Sequence, residues 1–359
     1  MNAWVKGVAG VGLAGLGAVA AGAVVERRVV KARRLGARDV DDLTALSAPA
    51  REVLTADGVV LHAEVDEQAP YATSAPREPG PTLVFVHGYA LNLHCWHFQR
   101  RALRGRHRMV FYDQRSHGRS GRSDREHATI DQLGDDLMRV LDTMVPVPEG
   151  EDDPGVVLVG HSMGGMSIMA FAEQYPETFD ARVRGVALVA TTAGGLKPAR
   201  ILSPLIPDVL GGFFAPRVIA ALASAPELID SARSKGSNLG FLVADRFAFG
   251  GEAPAAHVEL LDQMLAGTPT EVLAEFFDTF ATLDKFAVLD RFGTVPTTVL
   301  CGTKDRITSI GHSRKMAARI EGSRLVEVEG AGHMVLFEDP ELIEAEIERL
   351  VRTGEEVAR

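Results

Sequence analysis

The sequence has little cysteine: two residues, Cys95 and Cys301, in a chain of 359. Two thiols do not make the disulfide framework of a small secreted domain. Cys301 lies inside the apolar run Thr298-Val299-Leu300-Cys301 and reads as a buried strand residue. A reducing compartment fits this usage. There is no basic excess either: 38 lysines and arginines stand against 48 aspartates and glutamates, for a formal net charge of −10. Nucleic-acid binding favours a basic face, so no nucleic acid is expected as a partner, and the charge serves solubility. No Cys/His cluster has metal-ligand spacing. His94 and His97 are three apart with no further ligand set close by, which places them at a surface or pocket rim rather than on zinc. No metal site is expected. Internal repeats and long low-complexity tracts are missing from the region that carries the motifs below.

Charge is also missing from Gly7 to Val25, a run close to the ~20 residues a membrane-spanning helix needs. Lys6 precedes it, and Arg27, Arg28, Lys31, Arg33 and Arg34 follow. By the positive-inside rule the C-terminal side faces the cytoplasm. Gly10, Ala14, Ala18 and Gly22 line one helix face with small residues, so two such helices could self-associate. The expectation is that residues 1–50 form a hydrophobic segment (7–25) and a basic tether, anchoring a cytoplasmic catalytic domain in a membrane. Two alternatives stand beside it. One is a signal peptide cleaved near Ala18-Val19-Ala20, with secretion; the other is a Gly/Ala-rich arm, flexible or packed.

From about Arg51 onward, strand-like and helix-like patterns alternate. Val53–Val65, with Asp57-Gly58 at its middle, reads as a hairpin. Strands are expected at 82–86, 109–112, 156–159, 186–190, 299–302 and 325–328, and helices at 95–103, 129–145, 163–174 and 342–351. That rhythm implies a mostly parallel sheet wrapped by helices. One stretch breaks it. Residues 194–292 hold helix-like segments and Phe213, Phe214, Phe241, Phe247, Phe276, Phe277 and Phe280, and are expected to form a helical layer of their own.

The chemistry concentrates at Val156-Val157-Leu158-Val159-Gly160-His161-Ser162-Met163-Gly164-Gly165, an apolar strand, then Gly-x-Ser-x-Gly, then a helix. A serine hydroxyl is a weak nucleophile and must be presented beside a base. A sharp strand-to-helix turn does this. Gly160 and Gly164 keep crowding low around it, and the helix N-terminus adds N–H groups and partial positive charge.

With Val86-His87-Gly88-Tyr89, Asp113-Gln114-Arg115-Ser116-His117-Gly118-Arg119-Ser120, Gly302-Thr303-Lys304-Asp305 and Gly330-Ala331-Gly332-His333 in the same order, the chain from Arg51 to Val351 resembles the α/β-hydrolase fold superfamily. The resemblance implies a core over 51–193 and 293–359 and a cap over 194–292. It implies Ser162 as nucleophile, His333 as general base and Asp305 as the acid that orients it. It puts the oxyanion hole at the backbone N–H groups of Tyr89 and Met163, the nucleophile elbow at Gly160, His161 and Gly164, and loop support at His87 and Gly88. The family's alternative acid position, after the strand at 186–190, holds Thr191 and Thr192, which cannot serve. Ser116 stands where the family usually has glycine. No cofactor is implied. The expected reaction is hydrolysis of a small-molecule carboxylic ester, with an apolar bias suggested by the phenylalanines. The alternatives are a C–C bond or lactone hydrolase or a perhydrolase-type activity on the same triad, and a non-catalytic binding protein on this fold.

Overall fold

The computed structural model describes residues 43–69, 80–147, 153–196 and 248–358. Eight strands form one sheet: β1 Ala50–Leu54, β2 Val60–Asp66, β3 Thr82–Val86, β4 Met109–Tyr112, β5 Val156–His161, β6 Val183–Val189, β7 Thr297–Gly302 and β8 Arg324–Val328. Their spatial order is β1-β2-β4-β3-β5-β6-β7-β8. β1 and β2 are joined antiparallel through the turn at Asp57-Gly58, where Gly58 adopts φ 86°. β2 meets β4 antiparallel, and every later pairing is parallel. This is the expected α/β-hydrolase fold.

The sheet is apolar on both faces, as a covered parallel sheet must be. Leu83, Phe85, Val157 and Val159 pack into one cluster with Trp96, Leu336, Ile347 and Leu350. Their neighbours Val84, Val86, Val156 and Leu158 pack into the other, with Leu137, Ile168 and Met169. Alternation along each strand sends successive side chains to opposite faces. The covering helices are α1 His97–Leu103, α2 Ile130–Met144, α3 Met163–Gln174, α4 Pro176–Arg182, α7 Ile310–Arg319, α8 Val335–Glu338 and α9 Pro340–Ala358, while α5 Ala255–Gly267 and α6 Thr270–Thr282 belong to the insertion. Thr129 caps α2 by accepting from Gln132 N at 3.1 Å, the usual threonine N-cap bond.

The two ends of the insertion meet where Lys285 N donates to Ala193 O at 2.6 Å and Gly194 bridges Asp284. By Val288, Leu289 and Phe292 the chain is back among the sheet's helical layer. Phe213, Phe214, Phe241 and Phe247 lie outside the described residues, as does the uncharged run 7–25. Among the described residues no helix is long and apolar enough to cross a membrane. Of the tether expected up to residue 50, Leu43 is buried in the core, and Ala48 N donates to Glu64 Oε2 at 2.9 Å. His97 departs from the expected rim position: it is 5% exposed, with its ring at 5.2 Å from that of Phe98. The first turn of α1 is buried throughout, from His97 to Arg100.

Candidate active site

The parallel register brings the ends of β3, β4, β5, β6, β7 and β8 to one edge. Val86 pairs with Tyr112 and with Gly160, His161 with Val189, and Gly302 with Val328. Side chains just past those ends therefore converge in space. Ser162 follows β5 and opens α3 with φ 53° and ψ −118°. A serine in that region of backbone space is strained and persists only where its surroundings hold it. Here Ser162 N donates to Val189 O at 2.9 Å, and Thr191 Oγ1 donates to Ser162 O at 2.6 Å. Thr191 thus does not supply an acid but clamps the turn.

The elbow glycines are required by close approach. A Cβ on Gly164 would overlap Val86 O and stand 2.6 Å from Val86 C and 2.8 Å from His87 O. One on Gly160 would stand 2.6 Å from Ile168 Cδ1 and 2.7 Å from Gly165 N. The first turn of α3 accordingly abuts the loop after β3. On that loop, a Cβ on Gly88 would lie 3.1 Å from Ser162 Cβ and 2.9 Å from His161 Nδ1.

Asp305 and His333 stand together. His333 Nδ1 lies 2.9 Å from Asp305 Oδ2, and since a carboxylate accepts, the proton sits on Nδ1 and Nε2 is left as the basic nitrogen. Asp305 Oδ1 accepts from Ile307 N at 2.8 Å and Thr308 N at 2.9 Å, and Oδ2 accepts from Thr308 Oγ1 at 2.8 Å. Burial pushes this carboxyl up, but the His333 imidazole and the Thr308 and Ile307 donors outweigh it and hold it at about 2. Asp305 is therefore ionised at neutral pH. Sequence reasoning missed Thr308; its spacing of three from Asp305 was the signal, the pattern of a carboxylate capping the turn that follows it.

His161 Nε2 lies 3.0 Å from His333 O and its ring is 4.8 Å from that of His333. A carbonyl accepts, so His161 is the donor and stays neutral. Burial and the nearby His333 lower its pKa to about 3. The residue before Ser162 thus holds the backbone of His333. Ser162, Asp305 and His333 are all nearly buried, at 7%, 5% and 6% exposure. Among the described residues no hydrogen bond joins Ser162 Oγ to His333, a contact that tightens in many hydrolytic sites only when substrate binds.

Tyr89 reaches away from the loop to the insertion. Its hydroxyl donates to Leu273 O of α6 at 2.5 Å, and its ring meets Phe280 edge-on at 5.1 Å. Met163, Met166, Leu196, Val272, Phe276 and Phe280 form one apolar cluster against it. Phe276 and Phe280 thus face the start of α3 rather than only one another. Asp113 accepts from Leu93 N and Arg119 N, both at 2.8 Å, and ties loops together outside the Asp305–His333 pair. Among the described residues no group of three or more His, Cys, Asp and Glu side chains is placed to hold a metal ion.

A profile of the alpha/beta hydrolase family matches residues 83–346. A 3-oxoadipate enol-lactonase of Acinetobacter baylyi is 25% identical over 302 residues, which cover 84% of this chain and 97% of that protein. The crystal structure of a hydrolase from Pseudomonas aeruginosa superposes with a TM-score of 0.64 at 28% identity, over 84% of this chain and 98% of its own. A thermophilic esterase from Thermogutta terrifontis shares the fold with a TM-score of 0.61 at 23% identity, over 86% and 100%.

Proposed function

The chain belongs to the alpha/beta hydrolase family, and from that premise we propose that it is a serine hydrolase cleaving carboxylic esters through an acyl-enzyme. The observation that carries this reading is the strained Ser162, at φ 53° on a strand-to-helix turn, in a site that also holds an Asp305–His333 pair at 2.9 Å. Ser162 Oγ attacks the ester carbonyl while His333 Nε2 takes its proton. The tetrahedral oxyanion is held by the backbone N–H groups of Tyr89 and Met163. The alcohol leaves with the proton from His333. Water, deprotonated by His333, then attacks the acyl-enzyme and releases the acid and free Ser162. Asp305 keeps its charge throughout and stabilises the imidazolium. The apolar cluster at Met163, Met166, Phe276 and Phe280 favours apolar acyl groups.

A fluorophosphonate probe tests this directly. Ser162 is expected to label in the folded wild type, and Ser162→Ala to lose both labelling and turnover of p-nitrophenyl esters. A folded chain that does not label is a non-catalytic protein on this fold. The enol-lactonase relative, aligned along nearly its whole length, favours a second reading in which a lactone ring is the ester opened by the same groups. Ring-opening of lactones measured against linear esters of matched size separates the two. We further propose that residues 7–25 anchor the chain with the catalytic domain on the cytoplasmic side. Membrane fractionation of the full chain against one starting near Asp39 tests this, and equal solubility of the two refutes it.

A further inference from the structure

The two oxyanion donors sit on separate pieces of chain, the His87–Tyr89 loop after β3 and the first turn of α3. Donors of this kind act only when preorganised at hydrogen-bond distance from the developing charge. A buried hydrogen-bond network crosses between the two pieces, and Gln114, just after β4, is its centre. Gln114 Nε2 donates to His87 O at 2.6 Å. Gln114 N donates to His87 Nε2 at 2.8 Å. Gln114 Oε1 accepts from Ser167 Oγ of α3 at 2.8 Å. Ser167 Oγ also lies 3.0 Å from Met163 O, so its one proton is shared between the two acceptors. Gln114, Ser167 and His87 are each 0% exposed.

We propose that Gln114 is a positioning residue that fixes the gap between the two oxyanion arms, the inference resting on the serine-hydrolase reading above. Its amide bridges the two pieces by hydrogen bonds, to His87 O on one side and Ser167 Oγ on the other, and its two ends have opposite polarity. The N–H end fits only a carbonyl, His87 O, and the O end fits only a donor, Ser167 Oγ. The amide therefore has one orientation and one length between them. His87 completes the clamp. Its Nδ1 donates to Gly88 O at 2.7 Å, so the ring ties Gln114 N to the peptide that carries Tyr89 N. Burial and the neighbouring His117 depress its pKa to about 3, which keeps the acceptor nitrogen free for Gln114. Among the described residues no hydrogen bond of this network reaches Ser162 Oγ or the His333 ring, so it acts on the oxyanion and not on proton transfer.

The test uses the full chain as wild type, Gln114→Met and Ser167→Ala. Active sites are counted by the end point of fluorophosphonate labelling, and turnover of p-nitrophenyl acetate is expressed per site. Binding of a trifluoromethyl ketone, whose adduct with Ser162 carries an oxyanion, is measured alongside. Gln114→Met is expected to lower kcat per site by about tenfold to hundredfold with KM changed less than about threefold, and to weaken the ketone in proportion to kcat/KM. Ser167→Ala should lower both by a smaller factor. A merely structural role would lower the melting temperature and the count of sites while leaving kcat per site and ketone affinity at wild-type values. That result overturns the proposal. Ser167→Ala replaces one helical hydroxyl by hydrogen, so it decides the matter by the same two readings even if Gln114→Met does not fold. A wild type that neither labels nor turns over esters refutes the serine-hydrolase reading itself, which is a different result from an active wild type with indifferent variants.

Discussion

Arg115 offers the sharpest test of how the site loops are held. Its side chain is fully buried and makes five hydrogen bonds. Two go to Asp136 of α2, both at 2.6 Å, two to Asp57 in the β1–β2 turn at 2.7 and 3.1 Å, and one to Ser123 at 3.0 Å. Asp136 is itself 1% exposed. In Arg115→Met the methionine fills much of the volume, but Asp136 keeps a buried charge with no cation. Breaking one side of a buried pair costs about 3–5 kcal/mol, or roughly 6–10 °C of melting temperature at about 2 °C per kcal/mol for a large domain. The sign of its pH dependence follows. Burial already raises the Asp136 carboxyl, and Arg115 opposes that rise; without Arg115 it climbs further. A carboxyl raised on folding destabilises when ionised and loses that penalty as pH falls through its folded pKa. The melting-temperature gap between wild type and variant should therefore narrow from pH 7 to about pH 5. Adding Asp136→Asn to Arg115→Met should recover about half of the loss, because it removes the stranded charge. Thermal unfolding by circular dichroism at the two pH values reads all of this. A loss below about 1 kcal/mol, a gap that widens on acidification, or a double variant with fully additive losses would refute the reasoning.

The other expectations concern Asp305, Gly164 and the thiols. Asp305→Asn keeps the shape of the pair but lets the amide present the wrong partner to His333 Nδ1, and kcat should fall by about four orders of magnitude with KM little moved, measured on p-nitrophenyl esters. Since burial raises the Asp305 carboxyl while His333 and the Thr308 and Ile307 donors hold it at about 2, its stabilising contribution is complete above about pH 4 and is lost as pH falls toward 2; wild type and Asp305→Asn should therefore converge in acid melting curves. Gly164→Ala drives a methyl group into Val86 O and His87 O, which are backbone and cannot swing aside; a loss of at least about 3 kcal/mol is expected, and a melting temperature within a degree of wild type would contradict the close approach. Burial pushes both cysteine thiols up, with Asp113 beside Cys95 and Asp305 beside Cys301 adding to it. Iodoacetamide at pH 8 should therefore leave native protein unmodified and alkylate both only after denaturation, as read by intact mass.

What was legible in the sequence is what local pattern encodes. The strands at 82–86 and 109–112 and the helix at 163–174 fall where alternation, turn residues and the Gly-x-Ser-x-Gly turn put them. Ser162, Asp305 and His333 stood out because each follows an apolar run at the distance a strand end requires. The missed elements are those whose warrant lies far along the chain. α4, Pro176–Arg182, is a short helix with one buried side chain, Phe179, too little for periodicity to register. Its identity comes from Phe179 meeting Phe292 at 5.2 Å, across 113 positions. Gln114 drew no reading of its own between Asp113 and Arg115, since nothing local tells a buried glutamine that spans two loops from an exposed one. Arg115 and Asp136 are a pair 21 residues apart, made only when α2 packs on the sheet.

Ser116 shows how a local departure and a distant compensation fit together. The family's usual residue there is glycine, and the reason is now plain: the position has φ 64°, in the left-handed region, which costs a residue with a Cβ about 1–2 kcal/mol. Serine accepts that cost for a hydroxyl. Ser116 Oγ accepts from Ser123 N at 2.9 Å and from Arg122 Nη1 at 3.3 Å. Leaving a buried donor such as Ser123 N unpaired would cost about 1–3 kcal/mol, so the hydroxyl offsets the strain. The same contact has a second consequence. Ser123 Oγ is a partner of Arg115, and Arg122 Nη1 pairs with Glu275 of α6 at 2.7 Å. A side chain glycine could not supply therefore joins the loop behind Gln114 to the helical insertion, with Arg115 on one side and α6 on the other. In this chain the loop after β4 is pinned from three directions at once, by the sheet, by α2 and by the insertion. That is the rigidity a residue must have if it is to set the spacing of groups it does not itself belong to.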